Sequence, residues 1–283
     1  MKTLIVPVDF SNSSLNAVIY AGELAKNRNF DQILLIGNFH ISVIEQVMPS
    51  PDMIQENSES LRARRKLVED HLAGLVEKLK YNNSGHIIIR SIITENLLID
   101  SISEIIASVK PELAVIGSKA LESNEDNFVA DQLIGLIEAI NTPVMVIPAQ
   151  FKYIPISTAI VAAKLKSFKS VDLLMRLKVI VSAHTPKLLL LNVNNDKTSE
   201  PVTGITNDYF KESLNTILPG YDHQINSVAN HALVQGIFDF ASHNRTELII
   251  ALPEHHSLFY KLLHTSMLHK IHTFTYLPVL ILK

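Results

Sequence analysis

The 283-residue chain has no cysteine, no tryptophan and only nine glycines. It also lacks any apolar run near the ~20 residues needed to cross a bilayer. The missing cysteines exclude disulfide scaffolds, thiolate metal sites and cysteine nucleophiles. Charge of either sign is scarce: 19% of residues are charged against 47% hydrophobic, a balance that excludes a mostly disordered chain. The net charge of −3 gives no electrostatic case for nucleic acid or membrane. At the amino end, Met1-Lys2-Thr3-Leu4-Ile5-Val6-Pro7-Val8-Asp9 meets an acid too early for a secretory apolar region. A cytoplasmic protein is expected.

The length suggests about two domains, since single cores stop growing past ~250 residues. The halves differ in composition. Residues 1–150 hold 12 Lys/Arg against 19 Asp/Glu, whereas 151–283 hold 13 against 9. Histidine is skewed the same way, with 3 in the first half and 9 in the second.

The first half alternates short apolar runs with amphipathic stretches. Thr3–Val8, Gln32–Phe39, His86–Arg90, Leu113–Ile116 and Val144–Ile147 read as strands. Between them, Ser11–Ser14 offers helix caps before Leu15, Val18, Ile19, Gly22 and Ala25 recur at helical spacing. Further helices are expected from about Gln55 to Lys80, from Leu97 to near Lys110-Pro111, and from about Phe128 to Asn141. The second half repeats the scheme, with strands at Ala159–Ala162, Leu188–Val193, Ile225–Val228, Leu248–Ala251 and Pro278–Leu282. Helices fall near Val171–Val181 and on the face Ala232, Leu233, Ile237, Phe240 and Ala241. Continuous apolar strands separated by helices imply a parallel sheet covered on both faces. The best internal match sets Asn141–Ile147 against Thr275–Ile281, a repeat of whole-domain size, with the join near Ala149–Ser157.

On these residues the chain resembles the universal stress protein family over nearly its whole length. Val6-Pro7-Val8-Asp9-Phe10-Ser11 is similar to that family's first strand and turn, in which the Asp contacts the adenine end of bound ATP. The family's nucleotide signature is a glycine, two residues, a glycine, nine residues, then Gly-Ser or Gly-Thr. Counted back from the last strand, its register falls on Gly117, Ala120 and Ala130-Asp131 in the first half. In the second it falls on Leu252, His255 and Thr265-Ser266. The resemblance implies two tandem doubly wound α/β domains of the adenine nucleotide alpha hydrolase type. These would be 1–150 and a divergent 151–283, each a five-stranded parallel sheet of order 3-2-1-4-5. It further implies packing as an internal pseudo-dimer through the last strand of each half, and a homodimer of tandems by family habit.

In both halves the signature keeps its spacing while its chemistry has changed. A phosphate cradle needs bare backbone N–H groups, and glycine lets the phosphate approach. Alanine at 120 and 130 obstructs that approach, and Asp131 puts an anion where the family places a hydroxyl. At ~4 Å from a phosphate such a carboxylate costs several kcal/mol unless a Mg²⁺ intervenes. In the second half Lys164 replaces the strand-one Asp, and only Ser266 keeps a hydroxyl in the expected place.

Each candidate has two readings. Asp9 is an acceptor for adenine or ribose at a strand end, or it caps the following helix. Gly117-Ser118 supplies phosphate-binding N–H groups or makes a tight turn. Asp131 is a metal ligand or a favourable charge at a helix N-terminus. His255, His256, His264, His269 and His272 form a metal or anion site, or a basic loop and helix against the partner domain. The chain has no Gly-x-Ser-x-Gly elbow, no Walker loop and no Gly-x-Gly-x-x-Gly fingerprint. Arg62, Arg64, Arg65 and Lys66 are flanked by Glu56, Glu59, Glu69 and Asp70, a solvated helix face. The expectation is a stress-response binding or regulatory protein that recognises a protein partner or small ligand rather than routinely holding ATP. The alternatives are ATP or AMP binding in the first domain only, through Asp9, Gly117 and Ser118 with slow hydrolysis, and a histidine-based metal or anion sensor.

Overall fold

The computed structural model describes residues 1–38, 51–83, 86–95, 98–118, 135–163, 173–180, 185–193, 212, 214–228, 233–252 and 277–283. In the first half the strands are β1 (Thr3–Val8), β2 (Gln32–Asn38), β3 (Ile88–Thr94), β4 (Leu113–Ser118) and β5 (Val144–Pro148). The second half supplies β6 (Thr158–Ala163), β7 (Lys187–Val193), β8 (His223–Val228), β9 (Leu248–Ala251) and β10 (Val279–Ile281). Helices are α1 (Asn12–Arg28), α2 (Pro51–Asn82), α3 (Leu98–Val109), α4 (Leu177–Ile180) and α5 (Leu233–His243), with further helical stretches at 135–139 and 214–217.

All ten strands join one sheet of order β3-β2-β1-β4-β5-β10-β9-β6-β7-β8. Within each half the order is 3-2-1-4-5 and every pairing is parallel. The halves meet where β5 and β10 pair antiparallel, Val144 with Ile281, Met145 with Leu280 and Val146 with Val279. Because Val144 and Val279 open their respective strands, this register is self-complementary, and a local two-fold axis passes between Met145 and Leu280.

Strand alternation sends side chains into two apolar layers, one on each face of the sheet. Leu4, Val6 and Val8 join Ala17, Ala21 and Leu24 of α1 and Leu72 and Leu79 of α2. Ile5, Leu34 and Ile36 join Ile102 and Ile106 of α3 and Ile137 and Ile140 beyond it. Both layers run across the seam: Met145 and Leu280 lie in the first, and Val144, Val146, Val279 and Ile281 in the second.

The halves also share backbone details. Lys110 and Arg245 both adopt left-handed conformations at φ 50°, each two residues before a glutamate. The Glu112 N–H donates to Thr3 O at 2.9 Å, and the Glu247 N–H to Thr158 O at 3.1 Å. Likewise Ala114 N–H donates to Pro143 O at 2.9 Å, and Ile249 N–H to Pro278 O at 3.0 Å. A left-handed non-glycine residue is uncommon, so its recurrence at matched positions marks one construction used twice.

Three elements differ from expectation. β3 runs Ile88–Thr94 rather than 86–90, because as an edge strand it exposes Arg90, Ser91 and Ile92 and need not be apolar throughout. α2 begins at Pro51, a residue whose missing N–H and fixed φ suit a helix start. The helix expected near 171–181 is a 3₁₀ turn at 173–176 followed by α4.

Candidate functional site

The first-half candidate site begins at Pro7, where the β1–β4 ladder has ended. Thr3 O accepts from Glu112, so alternate residues Thr3, Ile5 and Pro7 direct their backbone groups toward β4. Pro7 has no N–H to give, and the β1–β4 pairing comprises only Leu4 with Leu113 and Ile5 with Ala114. On its other side β1 stays paired with β2 through Val8. The hydrogen-bonded ladder is therefore open between the carboxyl ends of β1 and β4, the point where strand order reverses and doubly wound folds receive ligands. In the second half the residue four beyond Thr158 is Ala162, as Pro7 is four beyond Thr3. There the ladder continues from Ala159 with Leu248 to Ala162 with Ala251.

Asp9 follows β1 at the edge of the opening. Its Oδ1 accepts from the Ser11 N–H at 2.9 Å and the Ser11 hydroxyl at 2.6 Å, an Asx turn. Partial burial works against the charge, but hydrogen bonds from the Ser11 hydroxyl, the Ser14 side chain and the Ser11 backbone outweigh it. The carboxyl is held below the ordinary aspartate value. Asp9 does not cap α1; that role belongs to Ser11, whose Oγ accepts from the Ser14 N–H at 3.3 Å. Between them Phe10 takes a left-handed conformation at φ 62° and sets its ring edge-on to His71, centroids 5.2 Å apart. The Ser11-Asn12-Ser13-Ser14 run, read in the sequence only as capping, thus also charges and positions Asp9. Ser11 and Ser13 hydroxyls lie 2.9 Å apart, and Ser13 and Ser14 are buried.

Gly117 and Ser118 end β4 on the other side of the opening. A Cβ on Gly117 would lie 2.3 Å from Ser13 O and 2.7 Å from Ser14 N. This glycine lets β4 press against the first turn of α1, a reason neither a phosphate cradle nor a tight turn anticipates. Ser118 Oγ donates to Ile147 O at 3.4 Å. The structure brings Asp9, Ser11, Ser13 and Gly117 together around the α1 N-terminus, while the Ser118 side chain turns to Ile147 of β5. Ala130, Asp131, His255, Thr265 and Ser266 lie outside the described residues, as do His256, His264, His269 and His272. Among the described residues no group of three His, Asp or Glu side chains is placed to hold a metal ion.

Asn16, one turn further along α1, donates to Pro148 O and Phe151 O, both at 2.9 Å. It ties the helix to the segment leading into the second half. Tyr20 adds contacts to Phe151 and Tyr153 there, at ring separations of 6.3 and 5.2 Å.

The family model for universal stress proteins matches residues 1–148, slightly more than half of the chain. The chain belongs to the universal stress protein family. No curated protein sequence matches this family member. Among solved structures, a universal stress protein from Archaeoglobus fulgidus superposes with a TM-score of 0.68 at 15% identity, covering 99% of this chain and 96% of that one. The cytoplasmic domain of a prokaryotic cation chloride cotransporter superposes at 0.53 with 10% identity, over 99% and 94%. A functionally unknown protein from Pseudomonas aeruginosa does so at 0.50 with 11% identity, over 100% and 92%. At these identities the likeness is one of fold. Among the described residues, no helix of this universal stress protein is long and apolar enough to cross a membrane.

Proposed function

We propose that this universal stress protein is a cytoplasmic, non-catalytic binding and regulatory member of its family, and that ATP is not its routine occupant. Its residues 1–150 and 151–283 act as two domains of one kind, and the first carries the ligand crevice. The observation that carries this reading is the unequal ladder: β1 and β4 part after Ile5, whereas β6 and β9 stay paired through Ala162. Gly117 supports the part concerning ATP, since its bare Cα is used in packing on Ser13 and is not left open for a phosphate. Ala120 and Ala130 stand where further cradle glycines would be, and Asp131 adds an unfavourable charge. The occupant is then a protein segment or a small ligand other than ATP.

A second reading is favoured by Asp9. Its Oδ1 is engaged by the Ser11 N–H and hydroxyl, and hydrogen bonding from Ser11 and Ser14 holds the group ionised. An ionised acceptor at a strand end suits an adenine amine or ribose hydroxyl, with no demand for a triphosphate cradle. Calorimetric titration with ATP and AMP, with and without Mg²⁺, separates the readings. Absence of ATP binding supports the first. Micromolar AMP binding lost in Asp9→Ala, with ATP much weaker, establishes the second. Micromolar ATP binding abolished by Asp9→Ala overturns both.

A further inference from the structure

A cavity of about 490 Å³ lies at the end of the first-half strands opposite Asp9, beside the residues that enter β4 and β5. One wall is the C-terminal turn of α3 with the loop at Asn141, and the other is the 173–180 segment of the second half. Its apolar lining comes from both halves, with Ile106 and Ile140 on one side and Val179 and Ile180 on the other. Among the described lining residues two cations stand on opposite walls, Lys110 and Arg176, and Glu112 is the single acid. Among the described residues no carboxylate pairs with either cation. Lys110 is presented by a left-handed residue at φ 50°, just beyond the last turn of α3.

Among the described residues, the second half uses the matching glutamate differently. Glu247, the counterpart of Glu112, accepts from Ser157 Oγ at 2.8 Å and from Thr158 N–H at 2.7 Å, and so closes the entrance to β6. In the first half that bracing is done by Asp31, which accepts from the Lys2 N–H at 2.6 Å. Glu112 is left at the cavity rim.

We propose that this cavity is a second ligand site, distinct from the β1–β4 crevice, that takes a small organic anion with an apolar body. The volume lies in the range of small-molecule sites, which combine an apolar lining with a few placed polar groups. Among the described lining residues two cations stand against one acid, an excess positive charge that matches one carboxylate or sulfonate head group. Asn141 at the rim adds amide donors and an acceptor. Since the walls belong to different halves, an occupant is held by both.

The test uses the full chain and the amphipathic anion 8-anilinonaphthalene-1-sulfonate, read by fluorescence titration. The expected result is saturable binding at one site, unchanged by millimolar AMP. The Lys110→Gln/Arg176→Gln double variant weakens it roughly tenfold, as does replacing the probe by neutral N-phenyl-1-naphthylamine. Ala107→Trp, which fills the cavity from an exposed helix position, abolishes it. Circular dichroism checks that each variant is folded, and the charge variant decides the matter should Ala107→Trp fail to fold. Equal affinity in the double variant, equal affinity for the neutral probe, no saturable binding, or competition by AMP would each overturn the proposal. None of these outcomes bears on the ATP and AMP titrations of the other crevice.

Discussion

Pro7 and Ala162 occupy the same position in two equivalently placed strands, and the ladder beside the first stops while the ladder beside the second continues. The difference follows from one backbone hydrogen. A proline facing a neighbouring strand cannot donate to it, and natural sheets confine proline to places where pairing has ended. Pro7→Ala is expected to be tolerated within about 1 kcal/mol, because it restores a donor at the mouth of an opening. Ala162→Pro removes a donor from a continuous ladder and leaves an acceptor buried, costing about 1–3 kcal/mol. Urea unfolding midpoints of the two variants check the asymmetry; equal midpoints would contradict it.

Gly117 and Gly74 make a second contrast. A methyl group at 117 meets the Ser13 backbone at 2.3 Å, where nothing flexible can give way, whereas at 74 it meets nothing within 4 Å. Gly117→Ala should cost about 1–3 kcal/mol by overpacking. Gly74→Ala, inside α2, should stabilise by up to about 1 kcal/mol through helix propensity. Thermal melts of the two variants should move in opposite directions.

Asp9 carries a pH signature. Its folded pKa lies below the unfolded value of about 3.9, so the native state favours the carboxylate. The stability this contributes is complete above the unfolded pKa and is lost as pH falls through the folded one. Asp9→Asn should therefore flatten part of the acid limb of the stability profile below about pH 4. Carboxyl resonances followed by NMR should give Asp9 a midpoint below the ordinary aspartate value, and Ser11→Ala should raise it. A midpoint unmoved by Ser11→Ala would remove the hydrogen-bond explanation.

Met145 and Leu280 face each other at the local axis and are fully buried. Truncating either to alanine should cost about 2–5 kcal/mol. As direct neighbours they should couple by about 0.5–3 kcal/mol in a double-mutant cycle measured by denaturant unfolding. Additive costs would show that the seam is not packed through this pair.

Much of this architecture could be read from the chain itself. Apolar runs such as Thr3–Val8 and Leu188–Leu191 are buried on both faces and therefore lack polar alternation, which identifies parallel strands at the sheet interior. The edge was harder, because β3 exposes Arg90, Ser91 and Ile92 and its polar residues blur the boundary. At the site, Asp9 and Gly117-Ser118 were visible as strand-end residues. What they do was not, because it depends on α1: Ser11 supplies the hydrogen bonds that hold Asp9 ionised, and Ser13 supplies the backbone that requires glycine at 117. The opening at Pro7 was hidden for the same reason, since a proline's effect on a ladder depends on which neighbour its nitrogen faces.

The antiparallel seam has a consequence for assembly. The row of backbone donors and acceptors on β5 that could recruit another chain is spent on β10, within the same polypeptide. The outermost strands of the sheet are β3 and β8, some 40 Å apart at the usual strand spacing. A second copy adding edge to edge through β3 against β3 closes as a pair. One adding through β3 against β8 presents a fresh edge each time and grows as a ribbon. Joining two halves through their last strands thus removes the central edge from intermolecular use and leaves strand-to-strand association to the two rims.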